Sequence, residues 1–373
     1  MDKQELEEYD IARYQGPDGS RYELDRKYQT RSWRDGRNWF TLLLHKGRDS
    51  KSGGILAAFV VLLVVSAIWA PRFATVGNFS VVSESVSQVG IMAVGMTFVI
   101  ITAEIDLSIG SIYALSGVSA GLALEHGWPI IGAIGLALVV GMLAGAMNGL
   151  LTVWLRLPSF IVTLGTLTAY EGAALLLSGG NPISLGTGVH GLSAFNVLGQ
   201  GQLDGVINVQ VVFFVVLLLL GGLLLRYTRF GYHVYAVGGS TEAARLSGIN
   251  INVIKILAFT LSGTVAAVAG ILGLSFLDYI EGISGSGIEL TVIAAVIIGG
   301  VALFGGSGTM TGTLIGVLFL GTLSDILNLK NVSSFVEQIV TGGIIIIAVS
   351  VDTLGLVKRR GSGKGKKKLA EEV

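Results

Sequence analysis

The 373-residue chain contains no cysteine, which removes disulfides, zinc–thiolate centres and a cysteine nucleophile from consideration. Its histidines, His45, His126, His190 and His233, are scattered with no pair at ligand spacing, so no metal site is expected. Charged residues make up 13% of the chain, about half the share of a soluble domain. Basic residues are scarcer still in the middle. Between Ser52 and Val357 the only Lys and Arg are Arg72, Arg156, Arg226, Arg229, Arg245, Lys255 and Lys330. A soluble surface needs basic residues throughout, whereas a surface facing lipid does not. A G-x-x-x-x-G-K-[ST] phosphate loop is also missing. Gly306-Ser-Gly-Thr-Met-Thr-Gly-Thr313 lacks the lysine, and Gly361-Ser-Gly-Lys-Gly-Lys reads as a flexible basic tail. The chain is therefore expected not to be an enzyme. If it pumps a solute, the energy comes from a partner or an ion gradient. The first 38 residues are polar and charged, so no signal peptide is expected.

What is abundant is apolar sequence, 51% of the chain, together with 54 glycines. A spanning helix needs about 20 mostly apolar residues. Ten runs qualify: 53–70, 81–103, 107–124, 129–153, 159–178, 209–226, 254–275, 289–304, 309–328 and 335–353. The third and eighth are rich in small residues and could be broken or half-spanning. The expected fold class is an all-α polytopic membrane protein of about ten transmembrane helices, with the membrane domain at 53–357. Residues 1–52 are expected to be a cytoplasmic, disordered segment, with Trp39, Phe40 and Leu42 to Leu44 able to form an interfacial helix. Residues 358–373 are a basic cytoplasmic tail. Basic residues favour the cytoplasmic side. Placing both termini there puts Arg156 and the group Arg226, Arg229, Arg245 and Lys255 on inner loops, leaving only Arg72 and Lys330 outside. The outer loop 179–208, rich in Gly, Ser and Asn, either packs over a pore mouth or is a solvated connector.

Glycines recur every four residues at Gly141, Gly145 and Gly149, at Gly308, Gly312 and Gly316, and at Gly117 and Gly121. Such stripes let helix backbones approach closely in a membrane. Two segments carry candidate chemistry. In Ile100-Ile-Thr-Ala-Glu-Ile-Asp-Leu-Ser-Ile-Gly-Ser111, Glu104 and Asp106 lie where the second span gives way to the third. Carboxylates at membrane depth usually mark function, such as a proton or Na⁺ site. Asp106 ahead of Ser108 and Ser111 also reads as a helix-capping group. Glu84 and Glu171 are further acidic residues in spans, and none of the four has a basic partner at i+3 or i+4. The second segment is the inner loop 228–249. It holds a short helix with Ser240 as N-cap, Glu242 in the first turn, Arg245 near the end and Gly248 as the stop. A two-turn helix is marginal alone, so its own membrane domain or a partner must dock it.

Six stretches in order resemble the permease subunits of bacterial monosaccharide ABC importers of the ribose and xylose type. They are Gly95-Met-Thr-Phe-Val-Ile-Ile-Thr with Glu104-Ile-Asp-Leu-Ser-Ile-Gly-Ser111; Gly145-Ala-Met-Asn-Gly149; Leu157-Pro-Ser-Phe-Ile-Val-Thr-Leu-Gly165; Thr228-Arg-Phe-Gly231 with Ala236-Val-Gly-Gly239; Glu242-Ala-Ala-Arg-Leu-Ser-Gly-Ile-Asn250; and Ile293-Ala-Ala-Val-Ile-Ile-Gly-Gly300 with Leu303-Phe-Gly-Gly306. The resemblance implies a type II-importer-like permease of the bacterial inner membrane, working as a homodimer. It implies an ABC ATPase subunit that binds ATP and Mg²⁺, an extracytoplasmic sugar-binding protein, and neither a cofactor on this chain nor a nucleic-acid partner. Coupling to the ATPase would fall to Gly238, Gly239, Glu242, Ala243, Ala244, Arg245 and Gly248. Ala103-Glu104 stands where the ribose-type pattern has two glycines. Small polar groups in the spans suit the hydroxyls of a neutral sugar, and the expected translocation path is Glu104, Asp106, Ser108, Asn148 and Thr163. The rival readings are an ion-coupled secondary transporter using Glu104 or Asp106, and an ABC permease for a branched-chain amino acid, a nucleoside or a signalling furanosyl sugar.

Overall fold

The structure, a computed structural model, describes residues 51–347 and 350, apart from 187, 188, 190 and 206. The expected interfacial helix at 39–44 and the basic tail 358–373 lie outside the described residues, as does the N-terminal segment up to residue 50.

Each expected span coincides with a helix. Helix α1 is Lys51–Trp69, α2 Val76–Ile101, α3 Ile109–Glu125, α4 Ile130–Leu155 and α5 Ser159–Ser178. The connection that follows holds β1 (Ile183–Ser184), α6 (Leu192–Gln200), β2 (Gln202–Leu203) and β3 (Ile207–Asn208). Then come α7 (Val209–Tyr227), two short helices α8 (Arg229–Gly239) and α9 (Thr241–Leu246), α10 (Ile251–Leu277), β4 (Tyr279–Ile280), α11 (Ile288–Ile298) and α12 (Met310–Leu329). A last helix, α13, covers Ser334–Ile347. Among the described residues α2, α4, α5, α7, α10 and α12 are long and apolar enough to cross a membrane, while α1, α3, α11 and α13 are shorter apolar helices. Of the third and eighth spans, α3 runs unbroken over 17 residues, whereas the eighth is the broken one. Helix α11 stops at Ile298, and the rest of its expected run unwinds through Gly299 and Gly300.

Helices α2 and α10 form the centre. Of the most apolar window of α2, 78% is buried, against 28% for α4, which turns an apolar face outward. The glycine stripes explain how α10 reaches its neighbours. Gly141, Gly145 and Gly149 of α4 lie against Gly263, Phe259 and Ile256 of α10, and a Cβ on Gly263 would stand 2.8 Å from the Gly145 Cα. Gly117 of α3 faces Gly270 of α10 in the same way, and Gly316 of α12 lies against Ala295 of α11 and Gly299 just beyond its end. Apolar side chains gain little by leaving lipid for one another, so close backbone contact has to supply the association.

The long connection between α5 and α7 is not a loose one. Phe195 of α6 is fully buried. Ser275 of α10 donates to the Phe195 carbonyl at 2.7 Å and accepts from the Gly199 amide at 2.8 Å. Strand β1 pairs with β4, Ile183 opposite Ile280, so the connection is fastened over the end of α10.

Gly263→Leu should remove roughly 3 kcal/mol of stability by forcing α10 off α4. Gly135→Leu should be near neutral, since a Cβ there meets nothing within 4 Å. Thermal unfolding of the two variants in detergent checks this contrast.

Candidate functional site

Two interruptions in the helices lie against each other. The first is the stretch between α2 and α3. Ala103 adopts φ 63°, and the Glu104 amide still reaches the Val99 carbonyl at 3.2 Å. Asp106 then closes the turn. One of its oxygens accepts from the Ser108 amide at 3.1 Å and the Ser108 hydroxyl at 2.7 Å, and the other accepts from Ser262 of α10 at 2.9 Å. Asn148 of α4 donates to the Ser108 hydroxyl at 2.7 Å, and Tyr170 of α5 donates to Asn148 Oδ1 at 3.2 Å. The backbone of Ile105 is held by α5: its amide donates to Ser159 Oγ at 3.0 Å, and its carbonyl accepts from Thr163 at 3.2 Å. Asp106, Ser108, Asn148 and Thr163 are all 0% exposed. Four of the five residues expected to line a path thus form a closed hydrogen-bonded knot joining α3, α4, α5 and α10.

Glu104 behaves differently. It forms an ion pair with Lys255 of α10, the only ion pair among the described residues. Local spacing could not reveal this partner, which lies 151 residues away.

The second interruption runs from Gly299 to Thr309. The Ala302 amide donates to the Ser307 carbonyl at 2.9 Å, and the Gly306 amide donates to the Ile101 carbonyl at 2.9 Å, tying the two interruptions together. Thr309 caps α12 by accepting from the Gly312 amide at 3.0 Å. Helix α8 packs on the same place. Tyr235 donates to the Gly308 carbonyl at 2.7 Å, and a Cβ on Gly238 would stand 2.6 Å from the Gly306 nitrogen. Gly238 is therefore a point of backbone contact with both interruptions.

Helix α9 has the expected ends. Ser240 accepts from the Ala243 amide at 3.3 Å, and Gly248 takes φ 80°, a left-handed geometry that glycine adopts without strain. The Gly248 and Ile249 amides then close on the Arg245 and Ala244 carbonyls, each at 3.0 Å. Ala244, however, is 3% exposed and turned into the protein, while Leu246 is 84% exposed. The outward face consists of Thr241, Glu242, Ala243, Arg245 and Leu246, with Gly239 and Gly248 also exposed at its ends. Of the two alanines, only Ala243 faces outward.

A further polar strip joins Glu171 of α5 to the turn before α11. Ser286 donates to Glu171 of α5 at 3.2 Å, and Glu289 stands in the first turn of α11. Glu171 and Glu289 are half-buried, and Ser286 is exposed. The signal was present in Glu281-Gly-Ile-Ser-Gly-Ser-Gly-Ile-Glu289, a Gly/Ser run flanked by carboxylates just before an apolar helix.

A family described as branched-chain amino acid transport system / permease component matches residues 78–349. The chain belongs to this permease family. Among curated relatives, the ribose import permease protein RbsC of Escherichia coli K12 is 38% identical over 317 residues, 85% of this chain and 97% of that protein. RbsC of Bacillus subtilis 168 is 40% identical over 82% of this chain and 94% of its own length. The autoinducer 2 import system permease protein LsrC of Yersinia pseudotuberculosis IP 31758 is 34% identical over 80% of this chain and 84% of its own length. The protein is thus a multi-pass membrane permease component of an ABC transport system, a transport subunit that works with separate ATPase and binding-protein partners.

Asp106→Ala should destabilise the permease by about 3 kcal/mol, because it strands the Ser262 and Ser108 donors in a buried site. Asn148→Ala should lower stability less, since Ser108 keeps its bond to Asp106. Thermal unfolding of the purified variants measures both.

Proposed function

We propose that this permease imports a monosaccharide into the cytoplasm, as one of two identical copies, driven by ATP hydrolysis on a partner that grips α9. The observation that carries the reading is α9 itself, a capped helix with its outward face free and its inner residues seated against the protein. A two-turn helix held this way is a projecting key, and its small central residue, Ala243, suits a cleft. Its position between Arg229 and Lys255 fits the basic, cytoplasmic side. The ATPase subunit holds the ATP and Mg²⁺, and an extracytoplasmic binding protein delivers the sugar.

A sugar suits this chain better than a branched-chain amino acid, although the family description names the latter. The relatives matched over most of their length are named for import of ribose and of autoinducer 2. An amino acid carries a carboxylate and an ammonium, and would favour a free countercharge of each sign along its way. Lys255 is already engaged by Glu104. An ion-coupled mechanism through Asp106 is disfavoured for a similar reason. Both carboxylate oxygens are occupied in a closed knot that offers an ion no route in.

The path itself runs along the strip of Glu171, Ser286 and Glu289. A half-exposed carboxylate within a span is not tolerated against lipid, and neither is the non-helical backbone of 281–287. That face therefore looks onto water, enclosed by the second copy. Glu104, Asp106, Ser108, Asn148 and Thr163 support the wall behind it.

Uptake into vesicles holding the permease, its ATPase and the binding protein should require ATP and survive a protonophore. Uptake that needs no ATPase and collapses with the protonophore would replace this reading with the ion-coupled one. Ala243→Trp should insert normally yet fail to retain the ATPase during purification, whereas Ala244→Trp should lower the yield of folded permease. The docking face is misassigned if a normally expressed Ala243→Trp permease imports at the wild-type rate. Since the chain lacks cysteine, Ser193→Cys should react with an impermeant thiol reagent from outside, and Ser247→Cys should not.

A further inference from the structure

We propose that the Glu104–Lys255 ion pair is a mechanical joint, through which movement of the α8–α10 segment is passed to the interruption between α2 and α3. The proposal rests on the reading of α9 as the ATPase-docking helix, and adds the route by which its movement reaches the spans.

The interruption is held from two sides by one contiguous piece of chain. On one flank α8 carries Gly238 against the Gly306 nitrogen, whose amide in turn donates to the Ile101 carbonyl. On the other flank Lys255 reaches Glu104. Lys255 lies early in α10, and only Ser247 to Asn250 separate that helix from α9. Asn250 caps α10 by accepting from the Val253 amide at 3.3 Å, so the helix is firm from its first turn. A displacement of α9 therefore arrives at Glu104 through a short stiff lever and at Ile101 through α8. Between these two grips, Ala103 sits at φ 63°, a conformation that disfavours any residue with a Cβ. The surrounding contacts hold it there, and a change in those contacts releases it. Beyond the grips, Asp106 is fixed to α3 and α10 by hydrogen bonds, with Asn148 of α4 bonded to the same Ser108 hydroxyl. The interruption is anchored on the α4 side through Asn148 and driven from the α10 side, where Lys255 and Ser262 both grip it.

The ion pair is suited to the driven side. The Glu104 and Lys255 side chains are 10% and 22% exposed, so water screens them weakly. If the pair served only stability, two apolar residues could replace it with little loss, as they often do for buried ion pairs. If it transmits movement, apolar residues would fill the space and slide.

The readout is ATP hydrolysed per sugar imported, in vesicles containing the full complex with ATPase and binding protein. Glu104→Gln and Lys255→Gln should each raise this ratio about tenfold, the range of an allosteric coupling between sites. The double variant Glu104→Leu with Lys255→Leu should unfold near the wild-type temperature and be equally uncoupled. The exchanged pair, Glu104→Lys with Lys255→Glu, should restore the ratio to within about threefold. A folded Leu/Leu permease with the wild-type ratio would overturn the joint and leave a structural ion pair. A wild-type complex that shows no ATP-driven uptake would instead overturn the importer reading on which the joint depends. The two failures are thereby distinguished.

Discussion

Backbone amides and carbonyls in a membrane must find partners inside the protein, and most of this structure answers to that requirement. Helices satisfy it by themselves, but this chain interrupts its helices after Ile101, before Ile288 and after Ile298. At the first and last of these places the freed groups are taken up by neighbours. The Ile105 amide and carbonyl go to Ser159 and Thr163, the Ser108 amide to Asp106, and the Ile101 carbonyl to the Gly306 amide. Each interruption depends on another element being correctly placed, and two of them satisfy each other. Local order at the site is therefore a property of the whole bundle.

That placement in turn depends on glycine. Helix α10 can offer Ser262 to Asp106 only because Gly263, one residue on, lets it lie directly against Gly141 and Gly145 of α4. A larger residue at this crossing would hold α10 away and leave a buried carboxylate oxygen without its donor. Packing and polar satisfaction are thus not separable in this protein. The same residues that bring the backbones together bring the hydrogen-bonding groups within reach.

These relations decide what could be read in the sequence. Apolar length identified the six helices long enough to cross a membrane and the four shorter apolar ones, since long apolar runs have few other uses. Four-residue glycine spacing identified the close crossings, and Ser240, Glu242 and Gly248 identified α9, because caps act within a turn or two. Four things were not legible. Glu104 finds Lys255 across 151 residues, which no local period encodes. A two-turn helix has too little periodicity to show which side is buried, so Ala243 and Ala244 looked equivalent until α9 was seen seated on the domain. Asp106, Ser108, Asn148 and Thr163 were polar residues in spans and read naturally as a lining, but a buried polar group can equally be the fastening of a helix break. The strip at Glu171, Ser286 and Glu289 brings together α5 and the turn before α11, which are distant in sequence.

The two acidic residues of the first interruption, two positions apart, occupy opposite mechanical roles. Asp106 is bonded on one oxygen by its own turn and on the other by α10, while α4 bonds the Ser108 hydroxyl that it shares. These are short side chains with little slack, so the Asp106 turn cannot shift without losing its bonds to α4 or α10. Glu104 and Lys255 meet through two long flexible side chains and a single contact. Such a pair keeps its attraction over a range of backbone positions, because Coulomb energy falls slowly with distance whereas hydrogen bonds weaken steeply with geometry. Multidentate bonding to uncharged donors fixes Asp106 as a pivot. A lone ion pair two residues away gives the chain a handle that can move while remaining attached.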